Sequence, residues 1–465
     1  MPTKTTRNER PIRLAAMLLI APLVLTLTSY GIARVAGGPI ATDPIRAIVA
    51  ALLRLVLPGD RGDSWDGMID ALRLARDSRE AIYDTIFFAH HEKFQYPLTS
   101  LLWLDGLGAV LHVDVETLNR LNALVFAANA VCCGLIMRKA FTTLDFAYGA
   151  SANWGVFIVG CAVPYVFWPT LYGLYVGQIQ IWIDLLFSLA LLAWWREARL
   201  LAGVAIGLAC TIKPQLGLLL IWGLLWRERR FSVALATTAA CFGALAMIRY
   251  GAQNNFKYMQ VLSFISRHGE SFHPNQSING LTNRLLFLGN NLDWAGDRFA
   301  PFSRTVWLAT WISNLALAAI PLGMALRARD QRPGVLDLAL GGLCFTMASP
   351  IVWEHHYGLA LPICLLVFGA SFDQRVNSRG RTLLACAWVA WLLIGADLQL
   401  FDSLSGTLLN VLQSPVLFGA LILVAALCAL APSLRTQQSE RREALGDSRL
   451  FAALSGAPPR TGEQA

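Results

Sequence analysis

Apolar runs long enough to cross a bilayer recur through this chain near residues 14–33, 117–137, 146–168, 178–195, 231–249, 305–326, 335–350, 356–372, 382–398 and 408–432. In hydrocarbon, backbone N–H and C=O groups must find partners inside the protein, so runs of this kind fold as helices. With 55% hydrophobic residues, 15% charged and a mean hydropathy of +0.51, the 465-residue chain is expected to be an all-α, polytopic membrane protein. The first run follows Lys4, Arg7, Arg10 and Arg13 but is too long for a cleaved leader, and reads as an uncleaved span.

One segment does not fit a simple crossing. The stretch 199–226, "RLLAGVAIGLACTIKPQLGLLLIWGLLW", has Arg196 and Arg199 at its start and Arg227, Arg229 and Arg230 just beyond its end. Basic residues mark the cytoplasmic ends of membrane segments, so both ends belong on one side and the chain must turn back at Lys213-Pro214. Each arm has about 13 to 14 residues, roughly 20 Å at 1.5 Å per residue, which stops the tip within the membrane thickness. A lysine costs roughly 2.5–3.5 kcal/mol at mid-bilayer, so Lys213 calls for an anionic partner or a water-filled cavity.

Counting this hairpin as two gives about twelve membrane helices with both termini cytoplasmic, in the cell inner (plasma) membrane. The connectors then sort by charge. Arg138-Lys139, "WWREAR", "WRERR", "RARDQR" and "DQRVNSRGR" fall inside, whereas 169–177, 351–355 and 399–407 carry no Lys or Arg and fall outside. Two longer polar stretches, 34–116 and 250–304, also face outwards, the first with an interfacial helix around "IRAIVAALLRLVL" and an apolar piece at 98–111. Residues 1–432 read as one domain, and 433–465 as a disordered cytoplasmic tail.

Under this topology the polar residues embedded in apolar context collect on the extracytoplasmic side. They are Asp63 and Asp66 ("GDSWDGM"), Lys93 and Tyr96 ("HHEKFQYP"), Gln178 and Gln180 ("GQIQ"), Lys213, Asn275 and Arg284 ("NQSINGLTNR"), and Glu354, His355 and His356 ("WEHHY"). A metal centre is not expected, because the adjacent histidine pairs 90–91 and 355–356 diverge by about 100° on a helix and lack i, i+4 ligand spacing. The nine cysteines all lie in apolar runs without CxxC spacing and read as small buried hydrophobes. A formal charge of +8 is spread over short connectors with no basic face, which fits membrane orientation and not nucleic acid.

An acid soon after the first span, then "KFQYP", "GQIQ", "AGVAIGLACTIKPQ", "NQSINGLTNR" and "SPIVWEHHY" occur in one order over roughly residues 60 to 370. In this the chain resembles glycosyltransferase family 87, whose members have the GT-C membrane fold and include polyprenol-phosphate-mannose-dependent mannosyltransferases. The resemblance implies an inverting transfer on the outer face, from a polyprenyl-phosphate sugar to a lipid or glycan hydroxyl, with no cofactor. It also implies a general base in the first outer loop, where the matching positions are Asp63 and Asp66. Here "DSWDGM" departs from the commoner form of the motif by offering two aspartates, and Asp63 is favoured because "DSW" matches variants of it.

Direct displacement at an anomeric carbon also needs groups to hold the charge growing on the departing phosphate. Lys213, His355, His356 and Arg284 are candidates for that task, and Glu354, Gln178, Gln180, Lys93, Tyr96 and Asn275 for holding the donor's sugar or phosphate. A multi-pass transporter or flippase of a lipid-linked or sugar substrate is the alternative. It would place its polar site on repeat-related segments near mid-membrane, and no second half echoes "TIKPQ". Sugar, acceptor, linkage and oligomeric state are not specified by these motifs.

Overall fold

The computed structural model describes residues 4–454 except 55, 58, 78–80, 93, 143–149, 288–290, 294–298 and 375–377. In chain order its α-helices are α1 (Lys4–Val35), α2 (Pro44–Leu53), α3 (Trp65–Asp77), α4 (Leu101–Leu107), α5 (Val115–Thr142), α6 (Ala150–Ala162), α7 (Trp168–Val176), α8 (Gln180–Trp195) and α9 (Arg199–Cys210). There follow α10 (Leu218–Leu225), α11 (Arg229–Tyr250), α12 (Ala252–His268), α13 (Ile278–Leu286), α14 (Arg304–Arg327), α15 (Val335–Met347), α16 (Ala360–Gln374), α17 (Ser378–Gly395) and α18 (Pro415–Leu454). No β-strand forms among the described residues, so the all-α expectation holds.

Among the described residues, five helices are long and apolar enough to cross a membrane by themselves: Ile12–Val35, Val115–Phe141, Arg229–Tyr250, Arg304–Arg327 and Pro415–Thr436. A sixth crossing results if Asn153–Tyr165 and Trp168–Val176, which meet at 53°, count as one broken span. The sequence reading of about twelve is therefore not reached on length and composition. The physical reason is that Gln180–Trp195, Arg199–Cys210, Pro214–Leu225 and Val335–Met347 have only 10–17 residues. At 1.5 Å per residue even the longest covers about 24 Å of a hydrocarbon core about 30 Å thick.

The hairpin, by contrast, forms as its flanking charges require. Arg199, at the start of α9, reaches Glu228 just beyond α10 at 3.4 Å, so both ends of the segment lie together. Both arms close on Phe231 of α11. A methyl group on Gly203 would strike the Phe231 carbonyl, and one on Gly223 would come within 2.7 Å of its ring. Small residues let helix backbones approach this closely where hydrocarbon surroundings give no other drive to pack.

The basic connectors gather at that same end. Lys139 donates to the Trp195 carbonyl at 3.3 Å, Trp194 to the Pro333 carbonyl at 3.2 Å, and Arg435 pairs with Asp337 in a buried contact. Helices α8, α9 and α15 each join this end to the other, where Gln178, Lys213 and Ser349 are found. The charge asymmetry of the connectors is thus built into one end of the bundle, and the polar loops into its opposite.

Helix α2 forms over most of the stretch "IRAIVAALLRLVL". Its N-cap Asp43 accepts from the N–H of Ile45 at 2.9 Å and of Arg46 at 3.1 Å, with Pro44 in the first turn, where its missing N–H costs nothing. Ala47 and Ala51 face inward while Ile45, Val49 and Leu52 are exposed. At the other terminus α18 continues to Leu454, through much of the stretch that composition reads as an unstructured tail.

Candidate functional site

At the end of the bundle away from the basic connectors, a cavity of about 570 Å³ is lined by Asp63, Asp66, Tyr96, Gln178, Lys213, His355 and His356, among others. Seven of the sequence candidates from five separate segments thus share one space.

Asp63 is positioned by a turn that the sequence had marked only as "GQIQ". Helix α7 ends at Gly177, whose φ of +79° is a left-handed conformation that glycine adopts without steric cost. The two carbonyls exposed there are taken by the 63–64 segment: Asp63 N–H donates to Val176 O at 3.0 Å and Ser64 N–H to Gly177 O at 3.3 Å. The Gln178 side chain then clamps the pair from above. Its amide nitrogen donates to the Asp63 carboxylate, while its oxygen accepts from the Ser64 hydroxyl at 2.6 Å and the Tyr96 hydroxyl at 3.2 Å. Asn119 holds the approach to this turn, donating to the carbonyls of Gly59 at 2.7 Å and Arg61 at 2.9 Å.

The Asp63 side chain is exposed to the cavity. Desolvation among the surrounding loops pushes its acid up to about 6, with the charges of Glu270 and Asp66 adding to the rise and the Gln178 bond opposing it. Asp66 lines the same cavity from the first turn of α3; its carboxyl is also raised, chiefly by burial and then by Asp70. Among the described residues no clamp like that of Gln178 is found on Asp66.

Lys213 is buried at the hairpin tip, and its ammonium has no hydrogen-bond partner among the described residues. The opposing charge that acts on it comes from Asp184 of α8, itself held by Gln180 at 2.7 Å. The two nitrogens of His355 are also unpartnered, with the ring wedged among Trp353, Tyr172 and His356. His356 differs: its Nδ1 accepts the Trp353 N–H at 3.1 Å, so in the neutral ring Nε2 carries the hydrogen and is a donor.

Four candidates lie elsewhere. Arg284, fully buried, spends its guanidinium on the carbonyls of Phe272, His273 and Asn275 and on the Ser414 hydroxyl at 2.6 Å. Asn275 bridges Glu270 O and Val352 N–H, next to an isolated antiparallel bridge between Asn275 and Trp353. Gln180 is committed to Asp184. Glu354 accepts from the Trp168 indole at 3.0 Å and faces a second cavity of about 250 Å³. Lys93 lies outside the described residues.

The "NQSINGLTNR" stretch is therefore a strut: it ties the 270–276 loop to 350–353 and to Gln413-Ser414, and so sets where His355 and His356 stand. Sequence reading missed Ser64, Asp184 and Asp397. For Asp184 a signal existed, since an acid four residues after Gln180 within "QIQIWIDLLF" faces the same side of a helix.

Fold and cavity together define a helical membrane protein with its titratable groups collected under loops at one end. The chain belongs to glycosyltransferase family 87, whose model matches residues 94–350, and it is a membrane glycosyltransferase. No curated protein and no solved structure matches it. The matched range takes in Tyr96, Gln178, Lys213, Asn275 and Arg284, whereas Asp63, Asp66, His355 and His356 lie beyond it and enter the site through geometry.

Proposed function

We propose that the protein is an inverting hexosyltransferase that moves a sugar, mannose by default, from a polyprenyl phosphate to a lipid or glycan hydroxyl on the extracytoplasmic face. The observation that carries this is that an unpartnered buried ammonium, Lys213, and an amide-clamped carboxylate, Asp63, line one cavity. Asp63 is the general base, and needs to come within about 3 Å of the acceptor hydroxyl. Gln178 holds the carboxylate oxygen that is not taking the proton.

As the glycosidic C–O bond breaks, negative charge collects on the departing phosphate. Lys213 supplies a full charge there and His356 Nε2–H a hydrogen bond, both in a partly dehydrated space where such contacts count for more than in water. Ile212, Pro214, Leu262 and Ile265 line the same cavity and suit the first units of a prenyl chain. Inversion in a single displacement leaves no covalent sugar on the protein, so no second carboxylate is required as nucleophile. The shorter helices complete the GT-C-type count of about twelve, with both termini and the basic connectors on the cytoplasmic side of the plasma membrane.

The test is reconstitution of purified protein in lipid with a panel of polyprenyl-phosphate sugars, the product being identified by mass. One donor should be consumed by the wild type. Asp63→Asn at equal protein level should lose on the order of 100- to 10,000-fold, the usual contribution of a positioned base, and Asp66→Asn far less. Normal transfer by Asp63→Asn would remove the base assignment, and transport of an intact lipid-linked sugar without transfer would favour the flippase reading.

A further inference from the structure

The short segment Trp353-Glu354-His355 is a partition. Trp353 and His355 line the large cavity, while Glu354 between them lines the smaller one of about 250 Å³ on the other side. This second space takes no part in the reaction proposed above, yet its walls are not those of an inert void.

Trp168 and Tyr172, one turn apart on α7, stack with ring centres 5.4 Å apart and planes 20° from parallel, giving the cavity an aromatic wall. Three carboxylates, Asp293, Glu354 and Asp397, line the same space. Gln399, 4% exposed, gives its amide nitrogen to Thr42 O and to Asp397, and leaves its oxygen without a partner. Nδ1 of His273 is likewise buried and unpartnered. A buried polar atom left in this state is destabilising, and a ligand able to both donate and accept would relieve it.

The chemistry narrows the ligand. An anion would meet three carboxylates. A hard divalent cation needs about six oxygens, and here one oxygen of Glu354 and one of Asp397 are already met by N–H donors that point positive charge at the space. An apolar ligand would leave the Gln399 oxygen and His273 unsatisfied. A neutral pyranose satisfies all of them: its hydroxyls donate to carboxylate and amide oxygens and its C–H face lies against an aromatic ring.

The geometry points to a carbohydrate subsite in this second cavity, one that holds a non-reacting sugar ring of the acceptor on the Trp168–Tyr172 wall with Glu354, Asp397 and Gln399 as hydroxyl partners. It rests on the transfer reaction proposed above. The donor's phosphate is kept out by the carboxylates, so the ring belongs to the acceptor. Tyr172 lines the smaller space, and its ring centre lies 6.3 Å from that of His355, which lines the larger one.

The experiment measures acceptor dependence and direct binding in the full-length protein in lipid nanodiscs. Asp397→Asn and Gln399→Ala should each raise the acceptor KM about tenfold, roughly 1.4 kcal/mol of lost binding. They should leave hydrolysis of the donor by water within twofold. In saturation-transfer NMR, wild-type protein should transfer magnetisation to the C–H protons of α-mannobiose, and Asp397→Asn should abolish it. A glycolipid carrying the same disaccharide should compete if the acceptor is a lipid headgroup and fail to improve on α-mannobiose if it is a free glycan. Unchanged KM and unchanged NMR signal in the variants would overturn the subsite, as would absence of any signal with the wild type. A wild type that consumes no polyprenyl-phosphate sugar while still giving the Asp397-dependent signal would instead overturn the reaction and leave the saccharide site standing.

Discussion

Gln178 donates its side-chain amide to the carboxylate of Asp63, which lies 115 residues earlier in the chain, and it does so from the turn that also accepts the Asp63 N–H. Backbone and side chain of one residue are thus fixed by neighbouring atoms of one turn. Replacing Gln178 by Glu keeps the shape and removes the donor, setting a second carboxylate against the first. Desolvation already holds the Asp63 acid at about 6, so transfer by the wild type should fall as pH drops through about 6 because the base becomes protonated. In Gln178→Glu the acid limb of the pH–rate profile should move to higher pH, and at pH 7 the rate should drop at least tenfold. An unmoved limb would mean that another group sets the profile.

Lys213 gives a second expectation. Its ammonium is buried, has no hydrogen bond among the described residues, and faces the charge of Asp184 on α8, with α9 between them in sequence. Lys213→Met should fold, since a thioether suits the apolar arms of the hairpin, yet lose on the order of 100- to 1,000-fold in rate, the usual value of one donor to a developing charge. Lys213→Arg keeps the charge and should recover part of the rate. Radiolabelled transfer at matched protein level measures both, and equal rates in Met and Arg variants would show that charge at the tip is not what matters.

How far the sequence could be read depends on where the information lies. The hairpin was legible because a lysine inside an apolar run and arginines on both flanks are local features. The convergence of Asp63, Gln178, Lys213 and His356 on one end followed from sorting connectors by charge, which needs no contacts. The side on which Glu354 faces was not legible: it is set by the Asn275–Trp353 bridge, a pairing between loops that no local pattern encodes. Arg284 looked like a phosphate ligand because a lone arginine in a polar loop can be one. Only the packed loop shows that carbonyls consume its donors.

That role of Arg284 carries its own prediction. With its guanidinium gone, the carbonyls of Phe272, His273 and Asn275 and the hydroxyl of Ser414 lose a shared partner in a buried setting. Each unsatisfied group costs about 1–3 kcal/mol before relaxation, so Arg284→Met should destabilise the protein by about 3 kcal/mol or more. The expected result is a clear fall in melting temperature in detergent, together with reduced yield. The fraction that stays folded should keep the wild-type donor KM, whereas a phosphate ligand would raise that KM with no change in melting.

Gly177 offers the most local test of how the base is placed. Its φ of +79° disfavours any residue with a Cβ, and a methyl group built there would run into the carbonyl of Arg61 and come within 2.9 Å of the Asn119 side-chain oxygen. The left-handed conformation alone costs a non-glycine residue roughly 1–2 kcal/mol. The clash adds to this, and it can be relieved only by moving the 61–64 segment away from α7. Since the N–H groups of Asp63 and Ser64 donate to the carbonyls of Val176 and Gly177, that movement carries the carboxylate off the Gln178 amide. Gly177→Ala should therefore lower kcat by at least tenfold while leaving the donor KM, set by the hairpin tip and His356, within about twofold. A variant with unchanged kcat and a lower melting temperature would mean that the turn supports the fold without positioning the base.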